Sequence, residues 1–356
     1  MGWLDLFRSN RTPAGMAGSS IVIAQADTLE RASAFLQQLH QRFGNLSLAI
    51  LDGGGSAAYG YPSLTLSGQT EDIGVRLRKL QPQRLIVLGL GERHIETAQA
   101  AGCPVFWINA RDEAIGKAGF KAVTVSHPLP QLPSASVTGD PLAAVSQLPA
   151  LSVNTGICQR FKEQREGNRW LGYFAGTGED EEAIAFQLFN RAIRYKMGMM
   201  LLAPRDPARC EPVYRDSLRY RLQTIRHRRL STSYVPIKTR VYYVEDAQPL
   251  ADLYACADFV VAGGTLHANA QTQPDLITPM QHGRPILVGP AGRGQPLLAA
   301  ALEAGMVLAG NDEEAVFAHM RQIIDTPDAT SALTRRAQEW LSHQPGAAQR
   351  VLAALG

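Results

Sequence analysis

The chain has 356 residues, 45% of them apolar and 19% charged, with a formal net charge of +3 at neutral pH. That length exceeds what one hydrophobic core ordinarily supports, so two domains are expected. The mild positive charge suits anionic ligands or an anionic membrane surface and falls far short of a nucleic-acid binder's, so no nucleic-acid partner is expected.

The start, Met1 to Ser20, lacks the basic-then-apolar layout of a signal peptide, and residues 1–19 read as an N-terminal tail. Within it Trp3, Leu4, Leu6 and Phe7 precede Arg8 and Arg11. Two readings stand: a short amphipathic turn that dips into a membrane surface, or a tail that packs locally. No apolar run approaches the roughly 18 residues a spanning helix needs, so the protein is expected inside the cell.

From Ser20 short apolar runs alternate with helix-like stretches. Ile21-Val22-Ile23-Ala24 gives a strand, Thr28 to Phe43 a helix, and Leu46 to Leu51 a second strand closed by Asp52-Gly53-Gly54-Gly55. Arg84 to Gly89 and Val105 to Asn109 add two more, the last after a Gly102-Cys103-Pro104 break. This rhythm predicts a parallel, helix-covered sheet over residues 20–150. Between Val125 and Leu151 the prolines 128, 130, 133, 141 and 149 discourage regular structure, and the stretch reads as a passage between domains.

Strand-like runs resume at Trp170 to Thr177, Met199 to Arg205, Val241 to Val244, Phe259 to Ala262 and Ile286 to Gly289, and helical segments follow from Asp312. They predict a second α/β domain over residues 151–356. Two such lobes facing across a cleft would bring strand carboxyl ends and helix N-termini to an anionic substrate. The four cysteines, Cys103, Cys158, Cys210 and Cys256, show neither Cys-x-x-Cys nor His-x-x-x-His spacing. Neither a disulfide framework nor a zinc site is expected, and no metal or cofactor; a reducing cytoplasm fits best.

Five segments carry candidate chemistry. Ala257 to Leu266 and His282 to Pro290 read as buried strands that end at glycines, Gly263 and Gly264 among them, where bare main chain lets phosphate or sugar approach N–H groups. Ala175-Gly176-Thr177-Gly178 leads into Glu179-Asp180-Glu181-Glu182, acidic residues that suit a helix start while the small residues cradle an anion. The Gly-Lys-Ser/Thr ending of a Walker A loop is absent. Pro204-Arg205-Asp206-Pro207-Ala208-Arg209 places two arginines on a stiff loop after a strand, for phosphate or for a neighbouring carboxylate. The basic run Arg215, Arg219, Arg221, Arg226, His227, Arg228 and Arg229 reads as a solvated helix face, or as a surface for anionic head groups.

In order and rough spacing these landmarks resemble the 3-deoxy-D-manno-octulosonic acid (Kdo) transferases of lipopolysaccharide assembly. Ala175-Gly176-Thr177 is similar to the family's Ala-Gly-Ser-Thr, Pro204 to Arg209 to its Pro-Arg-His-Pro-Glu-Arg, and Leu250 to Asp258 with Gly263-Gly264-Thr265-Leu266 continue the likeness. In the first half it is carried by Pro82 to Leu88, Gly102 to Val105, Asn109-Ala110-Arg111 and Val137-Thr138-Gly139-Asp140. The resemblance implies an α/β GT-B fold of two Rossmann-like lobes facing across a cleft, with residues beyond Ser331 crossing back to the first lobe. It implies a CMP-linked sugar as donor, a glycolipid acceptor, and a cytoplasmic protein in peripheral contact with the inner membrane.

The departures fall on the residues that the resemblance makes functional. The family's Gly-Glu, source of its general base, aligns with Asp27-Thr28, which leaves Asp27 one position early as the catalytic carboxylate. The Asn and Glu of its His-Asn-Pro-Leu-Glu-Pro, which help hold the cytidine monophosphate, become Asp275 and Thr278. Thr278 does not accept two ribose hydroxyls as a carboxylate does, and an ionised Asp275 repels phosphate. A glycine at the helix start before Leu250 becomes Gln248-Pro249, and a long helical insert is shortened. The nucleotide-sugar contacts implied are therefore Gly176, Thr177, Arg205, Gly263, Gly264, Thr265, Asp275 and Thr278. Three functions remain open: an inverting, metal-independent transferase of an acidic sugar; a catalytically dead pseudo-glycosyltransferase acting as a binding or regulatory partner; and a GT-B enzyme with another donor.

Overall fold

The computed structural model describes residues 15–51, 59–66, 70–90, 98–99, 101–110, 119–151, 155–246, 250–267 and 272–356. The expectations for Trp3 to Arg11, Asp52 to Gly55, Arg111 and Gln248-Pro249 lie outside those residues. The chain forms two compact units, one of residues 1–146 with 343–356, the other of residues 147–342.

The first unit holds β1 (Ser20–Gln25), β2 (Leu46–Leu51), β3 (Ser63–Leu66), β4 (Arg84–Leu88), β5 (Val105–Ile108), β6 (Phe120–Val125) and β7 (Ser136–Val137). They form one sheet in the order β3-β2-β1-β4-β5-β6-β7, and every pairing is parallel. The central strands are continuous apolar runs because helices cover both faces. Alternate residues divide between two cores: Ile21, Ile23, Val87 and Trp107 on one face, and Val22, Ala24, Ile86 and Leu88 on the other.

The second unit repeats the plan with β8 (Trp170–Thr177), β9 (Gly198–Pro204), β10 (Thr224–Arg226), β11 (Val241–Tyr243), β12 (Phe259–Ala262), β13 (Ile286–Val288) and β14 (Leu308–Ala309). Their order is β10-β11-β9-β8-β12-β13-β14, again parallel throughout. In each sheet the chain first fills one side of its first strand and then the other; in the second sheet β10 takes the edge before β11 fills the place between it and β9. The reversal falls at β1/β4 and at β8/β12, and in open α/β sheets that reversal is where ligands sit. Two parallel, helix-covered sheets in tandem give the two-lobed, Rossmann-like architecture of the GT-B type.

The proline-rich stretch is not a free passage between the units. It contributes β7, buries Leu132 and Leu142, and carries the anchor for the end of the chain. Asn109, in the left-handed region at φ 55° that Asn tolerates better than most residues, donates from Nδ2 to Asp140 at 2.9 Å. The other Asp140 oxygen accepts from Leu142 N at 2.8 Å, and Asp140 N donates to Gln344 Oε1 at 2.9 Å. His343 O would lie 2.1 Å from any Cβ on Gly139, so only glycine lets the returning chain in. Arg350 Nε donates to Thr138 O at 3.0 Å, and the helix Ala347–Ala354 buries Val351 in the core over β1 and β4.

One expectation fails outright. Cys158 and Cys256 form a disulfide across 98 residues, between the 3-10 turn Thr155–Phe161 and the end of the helix Ala251–Tyr254. No motif spacing announces it because folding alone brings the two together. The argument for a reducing compartment rested on unpaired cysteines, and that ground is gone. Beside the bridge, Arg165 grips Asp258 at 2.7 and 2.8 Å, and Asp258 accepts from Leu171 N at 2.7 Å, which ties the start of β12 to β8. No helix among the described residues is long and apolar enough to cross a membrane.

Candidate functional site

The carboxyl ends of β8 and β12 touch as bare main chain. A Cβ on Gly263 would stand 2.1 Å from Gly176 O, and one on Gly264 2.2 Å from Thr272 O. Gly263 N donates to Ala175 O at 2.9 Å. Side chains are excluded here by contact with neighbouring backbone rather than by turn geometry alone. Gly176, Thr177, Gly263 and Gly264 are thus brought together.

The N–H groups exposed by this arrangement do not stand free. Glu181, fully buried at the first position of the helix Glu181–Ala192, accepts on Oε2 from Gly178 N at 2.7 Å and Gly264 N at 2.8 Å. Its Oε1 accepts from Leu266 N at 2.7 Å. A carboxylate of the chain itself thus occupies the place that sequence reasoning reserves for a ligand's anion. Thr265 is likewise engaged: its hydroxyl donates to Ala262 O at 2.6 Å and accepts from Gly289 N at 3.0 Å. Thr177 Oγ1 and Thr272 Oγ1 are buried without a hydrogen-bond partner among the described residues.

Arg205 follows β9, and its backbone N–H bonds Thr177 O at 2.9 Å. Its guanidinium lies over Gly176, with Nη2 3.0 Å from where a Cβ would be. No hydrogen bond or ion pair engages that guanidinium among the described residues. The second arginine of the loop is committed: Arg209 makes a two-pronged contact to buried Glu182 at 3.3 and 2.9 Å and reaches Glu179 at 3.2 Å. Burial pushes the Glu182 carboxyl up, and the bonds from Arg209 offset this only in part. Glu182 in turn holds Arg209 above its ordinary range.

Two tyrosines that sequence reasoning passed over complete the group. Tyr173 on β8 and Tyr254 on the helix Ala251–Tyr254 meet as a tilted pair, 4.9 Å between ring centroids and 55° between planes. Both phenols are pushed well up, first by burial, and both feel the Asp275 carboxylate; Arg205 acts on Tyr254 in the opposite sense. The Tyr254 hydroxyl makes no hydrogen bond of sound geometry, so the nearby Asp275 acts on it through charge. Asp275 Oδ1 accepts from Thr278 N at 3.1 Å, which ties Asp275 to the start of the helix Ile277–Gln281. Thr278 therefore belongs to the turn that positions Asp275. A period-two reading of β8 marks Tyr173 as core; the polar tip of a buried tyrosine was the available signal.

Asp27 belongs to the first unit. It is exposed immediately past β1, at that sheet's own reversal point, and its Oδ1 accepts from Thr28 N at 2.7 Å. Within the basic run Arg219 pairs with Asp216 at 3.1 Å, Arg226 with Glu245 at 2.6 Å and Glu211 at 2.9 Å, and Arg228 with Asp246. The expected solvated helix face is not what forms: only Arg215 and Arg219 lie on the helix Cys210–Arg219, and the Arg226–Glu245 pair is largely buried.

The sequence matches no protein-family model and no curated protein sequence. Among solved structures, the C-terminal CMP-Kdo binding domain of WaaA from Acinetobacter baumannii is similar at 21% identity and TM-score 0.45, over 52% of this chain and 97% of that one. MurG from Acinetobacter baumannii is similar at 14% identity and TM-score 0.43, over 94% and 98% of the two chains. HepE of Anabaena, in complex with UDP and glucose, is similar at 9% identity and TM-score 0.39, over 95% and 99%.

Proposed function

We propose that the second unit binds a nucleotide-activated sugar, CMP-linked and acidic, and that the chain serves envelope glycan assembly as a Kdo-transferase-like protein with a glycolipid acceptor. The observation that carries this reading is Arg205: a guanidinium with no hydrogen bond or ion pair among the described residues, lying over bare Gly176 at the reversal point of the sheet and acting on Tyr254. A lone cation there seeks a phosphate or carboxylate. Gly176 puts no side chain beneath the guanidinium, Gly263, Gly264, Thr265 and Thr177 hold the ends of β8 and β12 in place, and Asp275, positioned by Thr278, meets ribose or sugar hydroxyls. The order of motifs resembling the Kdo transferases supports the choice of donor and acceptor.

In this reading Asp27 accepts the proton of the acceptor hydroxyl as its oxygen bonds the anomeric carbon. The carbon–phosphate-oxygen bond breaks, and CMP departs with the electron pair. A second reading, a pseudo-glycosyltransferase that binds without transferring, is favoured by one observation: Asp27 is turned back onto Thr28 N. Titration with CMP and UMP separates the cases. A ligand at a hundred times its dissociation constant stabilises by roughly 2.7 kcal/mol, and Arg205→Ala should weaken CMP by about tenfold, the worth of one charge-assisted contact. No stabilisation by either nucleotide refutes the reading. Wild-type turnover in Asp27→Asn removes Asp27 from the mechanism.

A further inference from the structure

Glu181 has no cation beside it among the described residues, in contrast to Glu182, which holds Arg209. Its charge is met only by the main-chain N–H groups of Gly178, Gly264 and Leu266, the donors that a glycine cradle at a strand end would otherwise offer to phosphate. With those donors engaged and a negative charge seated behind them, a second anion at the same place would meet repulsion in a medium of low dielectric. The strand ends also hold two hydroxyls, Thr177 Oγ1 and Thr272 Oγ1, both buried and without a hydrogen-bond partner among the described residues. Hydroxyl groups of a ligand can satisfy these without bringing a second negative charge beside Glu181.

We propose that Glu181 is a positioning and specificity-determining residue of the second unit: it turns the donor's anionic group away from the glycine cradle and onto Arg205, and leaves the cradle to a hydroxyl-bearing, uncharged part of the donor. This rests on the nucleotide-sugar reading for its setting, but its charge argument concerns any phosphate. Glu181 touches no reacting atom; it acts through the backbone of Gly178, Gly264 and Leu266 and through its field.

The test compares the full-length wild type with Glu181→Gln, which keeps the shape and removes the charge, using inorganic phosphate, CMP and cytidine as probes. The variant should bind inorganic phosphate at least about tenfold more tightly, the size expected when one close like charge is removed. Cytidine should stay within about threefold, since it carries no phosphate to be repelled. A merely structural role would move both alike. Equal phosphate affinity in wild type and folded Glu181→Gln overturns the proposal and leaves the nucleotide reading intact. Failure of wild type to bind CMP, UMP or cytidine sinks that reading and leaves the phosphate comparison standing. Should Glu181→Gln not fold, the wild-type amide resonances decide: phosphate should leave Gly178, Gly264 and Leu266 unmoved, and a shift at any of the three overturns the proposal.

Discussion

At the reversal point of the first sheet the chain passes from β1 straight into the helix Ala26–Arg31 and leaves Asp27 exposed. At the equivalent point of the second it runs on through glycines that touch main chain to main chain, with the buried Glu181 carboxylate bonded to their N–H groups and the Arg205 guanidinium, unpaired among the described residues, over Gly176. The polar residues of the first unit are spent elsewhere, on Asn109, Asp140 and Gln344, which hold the returning C-terminal segment. Two sheets of one architecture therefore place their buried polar groups at different ends of the problem. One uses them to keep the chain together and the other to fix the ends of β8 and β12. The motif order that resembles the Kdo transferases spans both uses, so a matching landmark is not by itself a ligand contact.

The largest effect expected from breaking this contrast is at Gly263. A Cβ there, 2.1 Å from a carbonyl oxygen that belongs to β8, is met by backbone that cannot swing aside. Gly263→Ala should destabilise the second unit by about 3 kcal/mol or more, as overpacking against main chain does. Denaturant unfolding measures it. A loss under about 1 kcal/mol, the range of a tolerated core change, would mean that the strand ends part readily and that the cradle is no fixed device.

The counterpart in the first unit is Asp140→Ala, which strips partners from Asn109 Nδ2 and Leu142 N in one step. Each buried donor left unsatisfied costs about 1–3 kcal/mol. The change should also free residues 343–356 to proteolysis, since Gln344 is held by the same turn. Nucleotide binding by the second unit should persist if the two polar economies are separate. Loss of binding with an intact second unit would show that the tail anchor serves the site as well.

These contrasts explain what the sequence could reveal. The strands of both sheets that are buried on two faces were legible as apolar runs, because nothing else reads so uniformly. β3, β6, β7, β10 and β14 were not, being short or only partly buried. The glycines at the ends of β8 and β12 and the loop bearing Arg205 were visible from composition. The occupant of the cradle was not: Glu181 reads as a routine acidic helix start, and only the fold shows its carboxylate reaching 83 and 85 residues along the chain to Gly264 and Leu266. The disulfide was hidden for the same reason.

The smallest expected effect separates the two neighbouring carboxylates. Glu182 is 3% exposed, and burial holds its folded-state pKa above the ordinary carboxylate value although Arg209 grips it. The folded protein therefore binds this proton more tightly than the unfolded chain does. Its contribution is fully present below the unfolded pKa and is lost as pH rises through the folded one. Glu182→Gln cannot ionise, so its stability should fall less steeply than that of wild type as pH rises across this acidic window, with a slope difference of one titrating group at most. Denaturant midpoints of the two proteins across that range supply the comparison. A wild type that instead gains stability relative to Glu182→Gln as pH rises would mean that the Arg209 contact outweighs burial. The loop bearing Arg205 would then be clamped to the helix Glu181–Ala192 by a net-favourable ion pair.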